Sequence, residues 1–321
     1  MPDHPAWILT WADLRNLAEN SDGEAFRWPW LRAVGWSEWS IFISQLGARK
    51  INAMSHGTDA MNFSNEFLDK LKKSHREAAR KYQDLAWSYL TRNYRDPQAR
   101  EYAVQGFSRR LKALARCIDN VFRTLPPDRI DLPSRDEISD ATINIQAFVF
   151  NVFGSIDNLA WIWVQEKPVR CENGSPIPNN WVGLAKDNRF VRSSLSTEFQ
   201  QYLKGSDDWF DQLGNFRHAL AHRIPLYIPP YVVPQSKLPI YRQLQDRITE
   251  AEKQKNFVEA NRVRAEQEAL GTFKPVMTHS FEEGAEKIWF HPQLVVDFLT
   301  VEELGKKMLE ELETCKQPRS E

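Results

Sequence analysis

Four polar side chains that can do chemistry follow one another at helical spacing in the second half of the sequence. They are Asp211, Asn215, His218 and His222, separated by steps of four, three and four residues, with Arg217 beside them. This spacing places the four on one face of an α-helix. Imidazoles can donate or accept a proton near neutral pH, and the planar guanidinium of arginine suits phosphate. The face therefore has the groups needed for acid–base chemistry on a phosphate ester.

The helix that carries this face is predicted to run from Ser206 to Arg223. Its opposite side is apolar, which buries the helix against a core. The apolar residues are Trp209, Leu213, Phe216 and Leu220. Ser206 or Asp207 can cap the beginning of the helix. Pro225 ends it, because proline has no N–H and disfavours helix at the preceding residue.

Arg217 and His222 form an R-x4-H motif near the end of this helix, with the polar His218 directly after the arginine. In this motif the sequence resembles the HEPN family, all-α bundles that share R-x4-6-H, usually with Asn, Asp or His after the Arg. The resemblance covers four core helices and implies a metal-independent ribonuclease that dimerises, so that two motifs line one cleft. It also implies a supporting acid at Asp157, beside Asn158, on the preceding long helix.

Cleavage of RNA without a metal needs a base that takes the 2′-hydroxyl proton and an acid for the leaving oxygen. An imidazole, with a pKa of about 6.5, can serve either purpose at neutral pH. We assign proton transfer to His222 and phosphate stabilisation to Arg217, with His218 assisting or binding substrate. Asn215 and Asp211 would set the orientation of the imidazoles. RNA is therefore the expected partner, and no cofactor is expected.

The same residues also fit a bundle without nuclease activity. Bundles of this kind exist within the HEPN-like class, and cations such as Arg217 and His222 are favoured at the C-terminal end of a helix. Arg217 could also satisfy the Asp157 carboxylate if that group is buried. The alternative function is a non-catalytic module that binds nucleic acid or a protein partner.

A zinc site is a third interpretation of the two histidines. His218 and His222 stand at i and i+4, a spacing that lets two imidazoles of one helix bind the same ion. Ala219 takes the place of the glutamate general base of H-E-x-x-H helices, which disfavours metalloprotease chemistry. His279 and His291 would complete such a site only if the fold brought them there.

The totals of the sequence indicate the class of protein. Lys and Arg number 42 against 43 Asp and Glu, a net charge of -1, so no overall field attracts nucleic acid or a membrane. Cysteines number 3, far apart and outside any C-x-x-C pair, which favours a reducing compartment. The N-terminus has no secretory pattern, and no stretch approaches the ~20 apolar residues of a membrane span. We expect a soluble, cytoplasmic protein with no membrane partner.

Apolar residues at steps of three and four predict the main helices. The predicted ranges are 58–92, 98–124, 134–167, 206–223 and 292–313. Ser134 with Glu137 three residues later predicts a capping box at the start of the third helix. The second half of that helix is apolar nearly all round, which makes it central. It still carries a stripe of Asn151, Ser155 and Asn158, and an arginine of a neighbouring helix would satisfy these groups.

Together these elements predict a mainly α fold, a HEPN-like bundle built from 96–223 and 291–315. Residues 1–95 would add a layer, formed by a Trp-rich segment and a basic helix. Residues 224–290 would be an insertion with an extended Pro-rich segment, a charged helical hairpin and a small β-hairpin. The stretch 244–270 resembles the UVR-type helical hairpin in its apolar and turn positions, which implies two antiparallel helices.

The Trp-rich segment has two interpretations. Tryptophan buries large areas, so these rings would pack the segment onto the bundle. The sharper alternative is a stacking platform for bases or sugars. Packing is favoured, because the tryptophans, including Trp11 in a helix predicted from Thr10 to Asn20, recur at intervals that suit a core contact.

Overall fold

The computed structural model describes residues 62–167, 169–280 and 287–314. Within these ranges the chain is mainly α-helical with one short antiparallel sheet, so the prediction of a mainly α fold is confirmed. The Trp-rich segment, with the helix predicted at Thr10–Asn20, lies outside the described residues. The predicted turn of the β-hairpin at Glu282–Gly284 lies outside them as well.

The helices follow the predicted ranges, with additional short pieces between them. In chain order they are α1 (Asn65–Thr91), α2 (Pro97–Glu101), α3 (Ser108–Thr124), α4 (Arg135–Glu166), α5 (Arg189–Ser193), α6 (Thr197–Gly205), α7 (Asp207–His222), α8 (Leu238–Lys253), α9 (Phe257–Glu268) and α10 (Phe290–Thr314). A π-helical turn, Tyr102–Phe107, joins α2 to α3 where the spacing predicted one regular helix. Short 3-10 turns occur at Asn179–Trp181 and Gln235–Lys237.

α4 begins with the predicted capping box. The Ser134 hydroxyl accepts from the Glu137 N–H at 3.2 Å, and the Glu137 carboxylate accepts from the Ser134 N–H at 2.7 Å. Arg129 holds the same carboxylate, with 2.6 Å between its Nη1 and Oε1 of Glu137. From this fixed start α4 runs for 32 residues and contacts α3, α7 and α10. The long apolar helix is therefore central, as its composition predicted.

One hydrophobic core joins α1, α3, α4, α7 and α10. The basic helix, α1, contributes the fully buried Leu71 and Tyr89 to this core. The Tyr89 hydroxyl donates to the Gly305 carbonyl on α10 at 2.8 Å. α1 thus packs directly on the same helices that position the candidate site.

The α8–α9 hairpin has the two antiparallel helices that its sequence predicted. Its interior is a separate small cluster of Leu244, Ile248 and Val263. Lys255 makes the turn in the left-handed region, with φ 56°. Asn256 caps α9 by accepting from the Glu259 N–H at 3.2 Å. The hairpin is consequently a unit with its own contacts.

The predicted small β-hairpin is also present. Its strands are β1 (Val276–Met277) and β2 (Ile288–Trp289), antiparallel with Val276 opposite Trp289. The extended Pro-rich segment runs alongside, because Tyr227 forms an isolated antiparallel bridge with Thr278. These pairings give the Pro-rich segment backbone partners without making it a central strand.

Within the described ranges, α4 is the helix that has the length and hydropathy of a membrane span. The prediction that no stretch approaches a membrane span in length and hydropathy is therefore wrong for α4. Just over half of that run is buried among the other helices, as in the core helix of a helical bundle.

Candidate functional site

α7 begins without the side-chain cap that the sequence predicted. Ser206 stands at the junction with α6, and its hydroxyl donates to the Tyr202 carbonyl at 3.1 Å rather than accepting from α7. The Asp207 carboxylate accepts from Arg192 Nη2 at 2.6 Å. The capping prediction is wrong at both residues, because the preceding helix and Arg192 lie close enough to take these polar groups.

The apolar face of α7 fixes which side of the helix meets solvent. Trp209, Leu213 and Phe216 are buried and Leu220 is half-buried, as predicted. The indole N–H of Trp209 donates to Oδ1 of Asp297 on α10 at 2.9 Å. This buried hydrogen bond and the apolar contacts set the rotation of α7 about its axis. The opposite face is therefore left to solvent.

The polar face of α7 is exposed along its length. The stripe consists of Asp211, Asn215, His218 and His222, and all four are exposed. Arg217 is exposed too, but it lies about a quarter turn around the helix from His218, on the side towards α4. The ring centroids of His218 and His222 lie 5.2 Å apart. The fold thus leaves the two imidazoles side by side on an open surface, one helical turn apart, as the spacing predicted.

The residues expected to orient the imidazoles do not do so in this arrangement. Asp211 accepts from Lys186 Nζ at 2.6 Å, which the sequence did not foresee because Lys186 lies in the irregular segment before α5. Within the described part of the chain, no hydrogen bond joins Asn215 to His218 or to His222. The expectation for Asp211 is corrected: its partner is a lysine.

Arg217 lies against α4 through an aromatic ring. Its guanidinium carbon is 5.2 Å from the centroid of the Phe153 ring. Among the residues that the structure describes, the Arg217 side chain forms no hydrogen bond or ion pair. Its charge is not bound to a protein carboxylate, so its N–H groups can meet an external anion.

Asp157 on α4 is an acid on which the charge of Arg217 acts. Burial raises the pKa of Asp157 to about 6, although the charges of Arg110 and Arg217 both act to lower it. Both charges therefore act on the Asp157 carboxyl, and Arg110 also donates to Asn158, the next residue of α4. The charge of Arg217 on α7 thus reaches Asp157 on α4, and Arg110 is a second cation there that was not predicted from the sequence.

That second cation, Arg110 on α3, is bound to two amide side chains of α4. Its Nε donates to Asn158 Oδ1 at 3.0 Å, and its Nη1 donates to Asn151 Oδ1 at 3.2 Å. The expectation that an arginine of a neighbouring helix satisfies the asparagine stripe is confirmed. A sequence signal for Arg110 existed: it stands three residues after Phe107 and four before Leu114, both core residues.

Two glycines make room for this network. A Cβ at Gly154 would lie 2.4 Å from Cζ of Arg110, and a Cβ at Gly106 would lie 2.8 Å from Cγ of Asn158. Both distances are shorter than carbon atoms tolerate without a shift. Gly154 thus lets the Arg110 guanidinium rest on the backbone of α4, and Gly106 lets the π-helical turn approach Asn158.

The outer side of α4 carries apolar residues near these polar ones. Phe150 is 44% exposed and Ile143, two helical turns earlier on the same side, is 62% exposed. Phe150 lies on the same side of the helix as Asp157, seven residues later. An apolar surface therefore continues along α4 from the polar site.

His291 on α10 does not complete a zinc site with His218 and His222. His291 is 0% exposed, and its Nε2 lies 2.6 Å from the Leu125 carbonyl oxygen. Burial lowers the pKa of His291 to about 3. His218 and His222 are on the exposed face of α7, so His291 cannot join them. Within the described ranges, no three His, Cys, Asp or Glu residues are grouped as metal ligands.

The chemistry of this site rests on its own residues. Comparison of the chain with protein-family models, with curated proteins and with solved structures finds no match.

Proposed function

We propose that this protein is a HEPN-like, metal-independent endoribonuclease whose active site is the exposed face of α7. One observation carries the proposal: His218 and His222 lie 5.2 Å apart on an open surface, on the same helix as Arg217, which forms no ion pair with a described carboxylate. The arrangement supplies proton-transfer groups and a phosphate-binding cation from one short helix.

The proposed reaction is attack of the RNA 2′-oxygen on the adjacent phosphorus. His222 takes the proton from the 2′-hydroxyl as the 2′-oxygen bonds to phosphorus. The bond from phosphorus to the 5′-oxygen then breaks, which leaves a 2′,3′-cyclic phosphate, and the protonated imidazole returns the proton to the departing 5′-oxygen, with His218 assisting or binding substrate. Arg217 stabilises the additional negative charge on the phosphate oxygens. The Phe153 ring holds the Arg217 guanidinium in place. Because the ring is uncharged, the guanidinium keeps its positive charge for the phosphate.

In this proposal the active form is a homodimer. Ile143 and Phe150 leave an apolar surface on α4 close to Asp157. Large apolar side chains that remain exposed on one side of a helix favour a protein contact. A second copy of the chain covering this surface would bring two sets of Arg217, His218 and His222 towards one cleft.

The test is cleavage of single-stranded and structured RNA in EDTA by wild type, His222→Ala and Arg217→Ala. We expect His222→Ala to lose about 10²–10⁴-fold in rate, as for removal of a general acid or base. Arg242→Ala is the matched control, since Arg242 is exposed on α8 and lies outside the proposed site. Undiminished cleavage by a folded His222→Ala protein would contradict the assignment, and an inactive wild type would contradict nuclease function.

A specific observation favours a second candidate, a non-catalytic module that binds nucleic acid or a protein partner through the same face. Asp211 is bound to Lys186, so it does not orient an imidazole as acids often do in catalytic sites. In that case RNA would bind with strong salt dependence but remain intact. Salt-dependent binding without cleavage would support this candidate, and binding that is independent of salt would favour a protein partner.

A further inference from the structure

We propose that Arg110 forms a second phosphate subsite beside Arg217, so that the face takes a single RNA strand through two of its phosphate groups. This inference rests on the proposed function in one respect, that the ligand is RNA. It does not require that the protein cleaves the strand.

Arg110 differs from the other partly buried arginines in the described part of the chain, all of which bond to a carboxylate. Those pairs are Arg92 with Glu166 at 3.3 Å, Arg129 with Glu137 at 2.6 Å, Arg192 with Asp207 at 2.6 Å and Arg264 with Glu252 at 2.6 Å. Arg110 instead donates to the neutral amides of Asn151 and Asn158. Amide oxygens fix a guanidinium in place but leave its full positive charge.

The backbone of α4 also restricts the position of the Arg110 side chain. The guanidinium lies so close to Gly154 that a Cβ at that residue would be 2.4 Å from Cζ of Arg110. Two hydrogen bonds and this close packing reduce the rotamers that the side chain can adopt, so little entropy is lost when it binds an anion. Its Nη2 group makes no hydrogen bond among the described residues and is not one of their buried unpartnered atoms. That donor is available to a ligand.

Arg110 and Arg217 approach α4 from two sides. Asn151, Gly154 and Asn158 lie on one stripe of α4, which meets α3 and Arg110. Phe153 and Asp157 lie on the neighbouring stripe, which meets Arg217. The charges of both arginines act on the Asp157 carboxyl, so a ligand over Asp157 would be within the field of both. Two cations and one carboxylate leave an excess of positive charge among these three groups, which suits phosphates.

The experiment measures binding separately from cleavage. A short, fluorescently labelled 2′-O-methyl oligoribonucleotide, which lacks the attacking 2′-hydroxyl, is titrated with the full-length protein at several salt concentrations. Arg110→Ala should weaken binding about tenfold or more and reduce the slope of log K against log salt by about 1. Arg109→Ala removes the same charge from the exposed side of α3 and should change binding less than about twofold. A competition arm with inorganic phosphate tests whether the subsite prefers the free ion.

Two further variants keep the test decisive if Arg110→Ala does not fold. Arg110→Gln removes the charge but retains a donor for the Asn158 oxygen. Gly154→Ala keeps every charge and displaces the guanidinium, whereas Gly205→Ala adds a Cβ that meets nothing within 4 Å. We expect the first two to weaken binding and the last to leave it unchanged.

The outcomes separate this inference from the proposed function. If Arg110→Gln and Gly154→Ala bind the oligonucleotide as tightly as Arg109→Ala, the second subsite is refuted, whatever the cleavage assays show. If both lose affinity while wild type cleaves no RNA, the subsite stands and the catalytic proposal fails. Failure of wild type to bind the oligonucleotide at low salt would refute the second subsite. Competition by inorganic phosphate as effective as competition by the oligonucleotide would refute its preference for RNA, and the cleavage assay decides the catalytic proposal by itself.

Discussion

Arg217 lies over the ring of Phe153, with 5.2 Å between the guanidinium carbon and the ring centroid. The negative face of an aromatic ring attracts a cation in this position while leaving the N–H groups at its edge unbound. The contact crosses from α7 to α4 and holds Arg217 near Asp157 without a carboxylate hydrogen bond. Arg217 thus differs from an arginine in an internal ion pair, because its N–H groups remain able to donate to an external anion.

Phe153→Leu tests this relationship. The variant keeps an apolar side chain but removes the ring, so we expect the kcat/KM of RNA cleavage to fall about two- to fivefold, the size of an exposed cation–π contact. Phe190→Leu is the matched control, because Arg189 lies over that ring at 4.8 Å on another part of the surface. An equal effect of both substitutions would show that Phe153 has no special role.

Asp157→Asn should strengthen RNA binding in a pH-dependent way. The pKa of Asp157 is raised to about 6, so the carboxyl is ionised at pH values above this and repels phosphate. We expect the variant to bind the 2′-O-methyl oligonucleotide several-fold more tightly than wild type well above pH 6, and equally well below it. Titration at several pH values checks this. A constant ratio of affinities across pH would contradict an effect through Asp157 ionisation.

Phe150→Glu should dissociate the proposed homodimer. It places a charge on the apolar surface of α4, where Phe150 is 44% exposed, and a buried unpaired charge at an interface is costly. Sedimentation velocity should show a dimer for wild type and a monomer for the variant, with unchanged helical content by circular dichroism. Phe257→Glu is the control, because Phe257 is exposed on the α8–α9 hairpin. A monomeric wild type would contradict the dimer proposal.

His291 should make the fold sensitive to acid. Its pKa is lowered to about 3 in the folded protein by burial, whereas an unfolded histidine titrates at about 6.5. As pH falls below about 6.5 the unfolded state takes up the proton first, so stability is lost progressively down to about pH 3. His291→Gln removes this term. Between about pH 6 and 4, its free energy of unfolding should fall less steeply than that of wild type, by up to about 1.4 kcal/mol per pH unit.

Asp297 should have the opposite effect in the same interval. Burial raises its pKa to about 6, although Gln293 and Trp209 donate to its carboxylate. The folded state then holds the proton more strongly than the unfolded state, so this group stabilises the fold below about pH 4 and the contribution is lost as pH rises through about 6. Asp297→Asn should therefore lose stability more steeply than wild type as pH falls. Urea unfolding at several pH values measures both variants, and parallel curves would contradict these assignments.

The helices were predictable where local rules agree with packing. The α4 capping box needs only Ser134 and Glu137 three residues apart, and the apolar face of α7 follows from periodicity. Ser206 did not behave as predicted, because a helix ends immediately before it and offers the Tyr202 carbonyl. A cap prediction considers one helix, and here two helices compete for the same hydroxyl.

The sequence by itself determined which side chains share the exposed face of α7, because a regular helix fixes the relation of residues three and four apart. It also indicated that the asparagines of α4 need an arginine. Only the tertiary structure decided that the arginine is Arg110, that Phe153 lies under Arg217, and that Lys186 takes Asp211. These contacts join residues far apart in the chain, and they depend on the rotation and spacing of packed helices, which local periodicity does not specify.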